Sequence, residues 1–421
     1  MSTRHPHTFR ALLFAIFASS IPATLILPMM PSLGTAFGIN PAELGLLVGI
    51  YPLTSMVASP FWGKLSDRYG RKPIMIATLL GGALAFGMFA ISTSWLGLLL
   101  GRAMQGLAGT PRGIGFAVAS DLSKGGEVSG RMGAVTASMA VAFTVGPILG
   151  GFFMGEDPSS WLGQFRDYVG LPGAGFNHVL PSLLGMGVNI LAAGIILVGF
   201  GETWHPHAAA DPEEQQDTTR SSFGTAILQL GVIMAIVFFL LSGFIQGSLQ
   251  FSFALWADLA MNWSAQLIAW AGVVIGMGFA IGSGLVLKPM TRRLGQERTV
   301  LVGTLIDAGG LLMFLIYQGN IPAAMLGLLI SALGGALWAT TILSLLSRQI
   351  DVRDQGLALG VANGAALLGR VIGPAFAGYL AGSLSPAAPF GFILTCVLIA
   401  IVRALFMVFG PGRKPATATG G

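Results

Sequence analysis

Long stretches without a charged residue restrict what this sequence can fold into. Residues 73–101, 308–347 and 371–402 contain no Asp, Glu, Lys or Arg. Charged residues make up 9% of the chain and hydrophobic residues 54%, whereas a soluble domain carries roughly a quarter charged residues. Because so few charges cannot cover a water-facing surface, the chain is predicted to be an all-α membrane protein that crosses the bilayer many times.

The number of crossings follows from the length of the charge-free stretches. A spanning helix needs about 20 apolar residues, so the longest stretches hold two helices and a turn. Turn signals such as Ser92-Thr93-Ser94 and Gly319–Pro322 divide them. This segmentation predicts twelve transmembrane helices, which begin near residues 9, 43, 74, 96, 131, 181, 224, 265, 299, 321, 357 and 388.

The distribution of lysine and arginine predicts the orientation of the chain. Cytoplasmic loops of membrane proteins carry an excess of these residues. With both chain ends on one side, all but four of the 22 Lys and Arg residues fall in segments on that side. Arg166 lies on the other side, and three lie inside predicted spans: Arg102, Arg112 and Arg370. We therefore expect a multi-pass protein of the cell (inner) membrane with cytoplasmic N- and C-termini.

A repeated pattern of small residues and proline indicates two similar halves. Gly133 and Gly146-Pro147 recur with the same spacing as Gly360 and Gly373-Pro374. In each half the pattern follows four predicted spans and a short charged loop. Such a parallel repeat is typical of secondary transporters that bind their substrate between the halves, near the middle of the membrane.

The repeat also predicts the domain boundaries. Residues 201–222 form an acidic, polar segment between the halves and are expected to be a cytoplasmic linker. The sequence therefore predicts an N-terminal six-helix bundle over residues 1–200 and a C-terminal six-helix bundle over residues 223–421.

The loop predicted between spans 2 and 3 carries the most specific motif. It reads Gly-Lys-Leu-Ser-Asp-Arg-Tyr-Gly-Arg-Lys over residues 63–72. Its glycines would allow a tight turn at the membrane surface, its cations would hold the loop in the cytoplasm, and Asp67 could face a helix N-terminus or an arginine. An ordinary positively charged cytoplasmic loop is the simpler alternative. The motif resembles the signature loop of the major facilitator superfamily.

Further motifs extend this resemblance over the whole chain. Span 4 is similar to the proton-antiporter motif of that superfamily, span 5 is similar to its antiporter motif, and the outer end of span 1 fits as well. The matching residues are Leu98, Arg102, Gln105, Gly106 and Gly109, then Gly133 to Gly151, and Pro28 with Pro31. Together they imply the major facilitator fold and the twelve-span drug:proton antiporter branch. Within that branch, Leu346 to Gln349, Gln355-Gly356 and Asp307 look most like tetracycline efflux proteins.

The resemblance implies roles for individual residues. Asp67, Arg71 and Asp121 would form a charge cluster that latches the halves in the outward-open state, and Arg102 would steer proton movement. Gly146-Pro147 would bend span 5 and pack it closely enough to resist proton leak, although small residues also serve plain helix packing. The implied gating and conformational set is Gly63, Asp67, Arg68, Gly70, Arg71, Asp121, Gly146 and Pro147.

Two features of tetracycline exporters are absent from this sequence. Those proteins place an acidic residue in span 1 and a histidine in span 8. Here span 1 has no charge between Arg10 and Pro31, and span 8 has Phe279 and no histidine. The resemblance therefore predicts an exporter and leaves its substrate open.

Ionisable residues inside spans are costly and are functional hypotheses by default. Proton coupling is assigned to Arg102 and to Asp307, the carboxylate best placed to exchange a proton within a span; the alternative for Asp307 is a structural role. Three cations against one acid also suggest an anionic substrate held by guanidinium groups. The alternatives are that Arg112 extends to the interface and that Arg370 binds carbonyls of a broken helix.

Shared helix faces complete the predicted substrate site. Gln246 and Gln250 are four residues apart in span 7, and Gln105 and Arg112 are seven apart in span 4, so each pair is expected on one face. The alternative is that these side chains form hydrogen bonds between helices. The predicted substrate-binding set is Gln105, Arg112, Gln246, Gln250, Trp338 and Arg370.

Motifs of other function classes are missing from the sequence. It has no Gly-x-x-x-x-Gly-Lys-Ser/Thr phosphate loop, no Cys/His cluster with metal-ligand spacing and no arrangement for nucleophilic catalysis. No enzymatic activity, cofactor, metal or nucleic-acid partner is expected. The predicted function is proton-coupled efflux of a small amphipathic compound or drug by alternating access, by a monomer in the bilayer. The alternative is export of an anionic metabolite, a siderophore or an acidic lipid-like molecule.

Overall fold

The computed structural model describes residues 5–108, 112–123, 128–153, 164, 178–203, 230–317, 319–349 and 355–409. Within these ranges the regular structure is helical, and eleven segments are long and apolar enough to cross a membrane. The helices of the first half are α1 (His5–Leu25), α2 (Met30–Phe37), α3 (Pro41–Tyr69), α4 (Arg71–Ala90), α5 (Trp95–Leu107), α6 (Arg112–Asp121), α7 (Val128–Phe153) and α8 (Val179–Gly199). Those of the second half are α9 (Leu230–Leu259), α10 (Ala265–Ile281), α11 (Leu287–Leu294), α12 (Gln296–Ile316), α13 (Ile321–Gln349), α14 (Gln355–Ser383) and α15 (Ala388–Phe409).

The fourth predicted span is described as two helices, α5 and α6, on either side of residues 109–111, which lie outside the described ranges, and it is not among the eleven candidate spans. α5 has 13 residues and α6 has 10, so neither helix crosses a membrane alone. The indole N–H of Trp62 in α3 donates to the carbonyl oxygen of Leu107 at 2.8 Å. This bond satisfies a carbonyl at the end of α5, where the helix offers it no partner. Each of the other eleven predicted spans corresponds to a described helix.

The connection between α3 and α4 is shorter than the motif predicted. α3 starts at a capping box, in which Asn40 and Glu43 each accept the other's backbone N–H. It continues through Gly63 to Tyr69, and α4 begins at Arg71. The turn is therefore Gly70 alone, whose φ of +99° favours glycine. The prediction that both glycines form the turn is wrong for Gly63, which is an ordinary helical residue.

The bundle has two ends that differ in charge. The basic end carries the α3–α4 and α11–α12 turns with their lysines and arginines, and the opposite end carries the α2–α3, α9–α10 and α14–α15 turns. One apolar cluster fills each half, and a third combines residues of both halves, such as Met30 and Leu33 with Phe251 and Leu255. The third cluster brings the two halves together toward the opposite end.

One contact between the halves joins α3 to α14. A Cβ atom at Gly45 would collide with the carbonyl oxygen of Pro374. One turn further along, a Cβ at Gly49 would lie 2.7 Å from the carbonyl oxygen of Val371. Since real Cβ atoms do not approach so closely, the two glycines allow these backbones to touch, as small residues do between membrane helices.

A second contact joins α7 to α10 in the same way. A Cβ at Gly272 would lie 2.9 Å from the Cβ of Pro147, and one at Gly276 would lie 2.6 Å from Oγ1 of Thr144. Thr144 precedes Pro147 by three residues, as Val371 precedes Pro374. The halves therefore meet twice through a pair of glycines, one turn apart, against a proline and the residue three positions before it.

Candidate functional site

A charge cluster at the basic end joins three residues that the sequence assigned to gating. Arg71 donates to Asp67 at 2.5 Å, to Asp121 at 3.2 Å and to the hydroxyl of Ser66 at 2.7 Å. The cluster connects α3, α4 and the end of α6 within the first half. The side chain of Asp67 is 64% exposed, whereas that of Arg71 is 12% exposed. Three oxygen acceptors therefore hold a largely buried guanidinium at the edge of the bundle.

Glu202 completes this cluster, and the sequence interpretation missed it. Its carboxylate accepts the backbone N–H groups of Arg71 at 2.9 Å and Lys72 at 3.0 Å, so it caps the N-terminus of α4. A Cβ atom on Gly70 would lie only 2.7 Å from a carboxylate oxygen of Glu202. The signal available in the sequence was an acid directly after the sixth span. Residues 201–203 therefore pack against the first half.

Three other residues of the gating set have separate contacts. The guanidinium of Arg68 lies 5.4 Å from the ring of its neighbour Tyr69. A Cβ on Gly146 would lie 2.8 Å from the carbonyl oxygen of Ile21 in α1, while Pro147 faces Gly272 in α10. The pair Gly146-Pro147 thus packs closely on two sides, and its role in resisting proton leak stays a prediction.

Arg102 is enclosed in the first half at 2% exposure. It donates to the side-chain oxygen of Gln105 at 2.6 Å, and its guanidinium carbon lies 5.1 Å from the centre of the Tyr51 ring. Its Nε has no partner among the described residues. Gly106 allows the approach, because a Cβ there would collide with the backbone carbonyl of Tyr51. Tyr51, which the sequence interpretation did not single out, therefore faces the buried cation through its ring.

The predicted pairing of Gln105 with Arg112 on one helix face stays a prediction. α5 ends at Leu107, α6 is described from Arg112, and residues 109–111 lie outside the described part of the chain. Gln105 is buried and binds Arg102. The side chain of Arg112 lies outside the described part of the chain.

Asp307 is a buried carboxylate between α12 and α13, at 3% exposure. It accepts the hydroxyl of Ser331 at 2.6 Å and the indole N–H of Trp338 at 3.0 Å. The helices approach closely here because a Cβ on Gly334 would lie 2.8 Å from the Cα of Asp307. Among the described residues no lysine, arginine or histidine contacts it. Two neutral donors therefore satisfy its two oxygens, and one of them, Trp338, is buried at 1% exposure and does not face open space.

Arg370 and Gln246 are the predicted substrate residues that the structure brings together. Arg370 of α14 donates to the side-chain oxygen of Gln246 in α9 at 2.8 Å. The backbones are close because a Cβ on Gly247 would lie 3.2 Å from the Cα of Arg370. Both side chains are half-buried, and Gln250, one turn along α9, is exposed. A guanidinium and two amides therefore lie on adjacent faces of α9 and α14.

The sequence matches the family model of the Major Facilitator Superfamily over residues 12–286 and 222–420. The chain belongs to this superfamily. It is therefore a multi-pass membrane transporter of small molecules and not an enzyme. The family, the helical fold and the expected similarity to tetracycline efflux proteins are confirmed.

Three known proteins illustrate what this major facilitator protein resembles. It is 24% identical to the class E tetracycline resistance protein of Escherichia coli over 408 residues, and this aligned region covers 95% of each chain. It is similar to a bacterial homolog of the human lysosomal transporter Spinster in an inward-facing, unoccupied conformation, with a TM-score of 0.74, 15% identity and coverage of 97% and 96%. It is also similar to the human organic anion transporter MFSD10 (TETRAN), with a TM-score of 0.66, 17% identity and coverage of 96% and 100%.

One titratable group of this major facilitator protein lies just outside the spans at the opposite end. His178 precedes α8, and its Nε2 lies 3.2 Å from the carbonyl oxygen of Ser92. Its ring meets the ring of Phe37 edge-on, with 5.2 Å between centres. Burial lowers the pKa of His178 below its usual value, and the hydrogen bond to Ser92 opposes this effect in part. The contact joins α2, α8 and the α4–α5 turn.

Proposed function

We propose that this major facilitator protein exports a small amphipathic compound from the cytoplasm in exchange for protons. The observation that carries the proposal is the environment of Asp307, an acid inside a span whose described partners are the neutral groups of Ser331 and Trp338. Ionisable residues in this setting mark proton or ion pathways. A carboxylate without a neighbouring cation can take up and release a proton as its surroundings change. Similarity to a tetracycline resistance protein supports export of a drug-like molecule.

Transport would proceed by alternating access between two bundles, residues 1–200 and 223–421, connected by the linker 201–222. The α3–α14 and α7–α10 contacts hold the halves together toward the opposite end. We infer that this state is open at the basic end. Switching would separate these contacts and bring the basic-end loops together, where Asp67, Arg71 and Asp121 would act as the latch. Arg102 would steer the proton.

The orientation follows from the charges of the two ends. The positive-inside rule assigns the basic end, with its lysine- and arginine-rich turns, to the cytoplasm. Both termini would then be cytoplasmic, and a compound entering the open end would come from the cytoplasm of the cell. Release at the opposite end amounts to export across the inner membrane.

Substrate recognition would centre on Arg370, Gln246 and Gln250. A second candidate function, export of an anionic metabolite, is favoured by Arg370, because a guanidinium can bind a carboxylate or phosphate through paired hydrogen bonds. The similarity in fold to an organic anion transporter agrees with this alternative. Gln105, Arg112 and Trp338 remain proposed contacts for another state of the cycle.

Reconstituted protein in lipid vesicles tests the proposed activity. Tetracycline, ethidium and an organic sulfonate of similar size would be offered with and without an imposed pH gradient, and their movement across the membrane would be followed. We expect at least one compound to move against its gradient only while the proton gradient lasts, and a protonophore to stop it. Equal movement with and without the gradient would overturn proton coupling, and preference for the sulfonate would favour the anionic alternative.

A further inference from the structure

Two turns at the basic end have the same backbone shape. The α3–α4 turn is a single glycine, Gly70, with φ +99° and ψ 160°, and the α11–α12 turn is Gly295, with φ +80° and ψ 168°. Each glycine ends one helix and begins the next. The two turns occupy equivalent places in the two halves, so differences in their charges are informative.

The α3–α4 turn has its positive charge compensated. Arg71 pairs with Asp67 and Asp121, and Glu202 caps the helix that follows. The four cations around this turn, Lys64, Arg68, Arg71 and Lys72, are thus accompanied by three acids of the same half. Of these cations only Arg71 forms an ion pair with a described residue, but the three acids reduce the net charge around the turn to a single positive charge.

Within the described part of the chain, the α11–α12 turn has less compensation. Four exposed cations surround it: Lys288, Arg292, Arg293 and Arg298. None of their charged side-chain groups forms a hydrogen bond or an ion pair with any residue in the described ranges. The one acid of the segment, Glu297, is half-buried. We call residues 285–298 the α11 segment.

Exposed apolar side chains accompany these cations. Leu285 is 73% exposed and Leu294 is 40% exposed. The turn itself is anchored, because the amide of Gln296 donates to the hydroxyl of Ser344 in α13 at 2.8 Å. The α11 segment therefore presents a fixed row of cations beside apolar groups where α10 leaves and α12 enters the membrane.

We propose that the α11 segment binds the phosphate headgroups of anionic phospholipids in the cytoplasmic leaflet. The guanidinium group of arginine can bind two oxygens of one phosphate group at once. Basic clusters next to a spanning helix attract anionic lipids. Leu285 and Leu294 would contact the acyl chains below the headgroup. The proposal uses the cytoplasmic orientation inferred above and is independent of the transported substrate.

Lipid binding by purified full-length protein tests the proposal. Short-chain phosphatidylglycerol or phosphatidylcholine would be added to protein in a neutral detergent, and both the melting temperature and the binding of a fluorescent phosphatidylglycerol would be measured. We expect phosphatidylglycerol to raise the melting temperature and phosphatidylcholine to leave it unchanged. Arg292→Gln/Arg293→Gln should weaken its binding about tenfold or more, and raised salt should reduce the wild-type effect.

The other turn supplies the matched control. Lys64→Gln/Lys72→Gln removes the same charge at the compensated turn and should leave phosphatidylglycerol binding within about twofold of wild type. Equal losses in both double variants, an unchanged affinity in Arg292→Gln/Arg293→Gln, or equal stabilisation by inorganic phosphate would each overturn the proposal. Should the arginine variant fail to fold, a photoreactive phosphatidylglycerol on the wild-type protein should label residues 285–298 and not residues 63–72. Labelling of residues 63–72 and not of residues 285–298 would also overturn the proposal.

Discussion

The carbonyl oxygen of Pro374 in α14 lies directly against the backbone of Gly45 in α3, with no side chain between them. This contact joins the two halves of the transporter toward the end opposite its basic loops. Between α7 and α10, Gly272 packs closely against the side chain of Pro147. A side chain at Gly45 or Gly272 would therefore disturb a contact between the halves.

Substitution of Gly45 tests this expectation. Gly45→Ala would place a methyl group on the Pro374 carbonyl, and overpacking of this kind typically costs about 1–3 kcal/mol. Gly63 in the same helix has nothing within 4 Å of the position a Cβ would take, so Gly63→Ala should leave stability unchanged or raise it slightly. Thermal unfolding in detergent compares the two variants, and similar melting temperatures would contradict the contact.

Arg370 is expected to control binding of anionic compounds. A hydrogen bond to a charged group is worth about 1.5–3 kcal/mol, so Arg370→Gln should weaken binding of an organic sulfonate by about tenfold or more. Binding of ethidium should change much less, because ethidium has no negatively charged group that Arg370 could bind. Binding measured by tryptophan fluorescence distinguishes the two. Equal changes for both compounds would assign Arg370 to structure.

Glu202 is expected to stabilise the start of α4 as a cap. Loss of a capping side chain costs about 0.5–2 kcal/mol, so Glu202→Ala should lower the melting temperature. Glu202→Gln keeps one carbonyl oxygen for the N–H groups of Arg71 and Lys72 and should lower it less. A melting temperature of Glu202→Ala equal to that of the wild type would show that the cap contributes nothing.

His178 should make the protein less stable in acid. Because burial lowers its pKa in the folded state, the unfolded chain binds a proton first as the pH falls through about 6.5. Folding stability therefore rises with pH in this window and falls on acidification. The drop in melting temperature between pH 7.5 and pH 5.5 should be smaller in His178→Gln than in the wild type. An identical drop in both would exclude a contribution from His178.

The spans were predictable because absence of charge over about 20 residues reports burial in lipid directly. Where a helix ends inside a predicted span, as α5 does at Leu107, hydropathy alone does not show it.

The contacts of the site required the packed structure. Gly45 with Gly49 and Gly272 with Gly276 have the four-residue spacing of a helix interface, so they could have been found in the sequence, but their partners could not. The bond between Asp307 and Trp338 depends on the register of α12 against α13. The cap by Glu202 depends on where the end of α8 meets the start of α4, which no local pattern records.

The number of protons released on substrate binding tests the proposed mechanism most directly. Protein in weakly buffered detergent solution would receive the compound that is transported in vesicles, and the pH change would be recorded with a dye. We expect the wild type to release protons and Asp307→Asn to bind the compound without releasing them, since asparagine can still bond to Ser331 and Trp338 but carries no exchangeable carboxyl proton. Equal proton release by both proteins would contradict the assignment of proton coupling to Asp307.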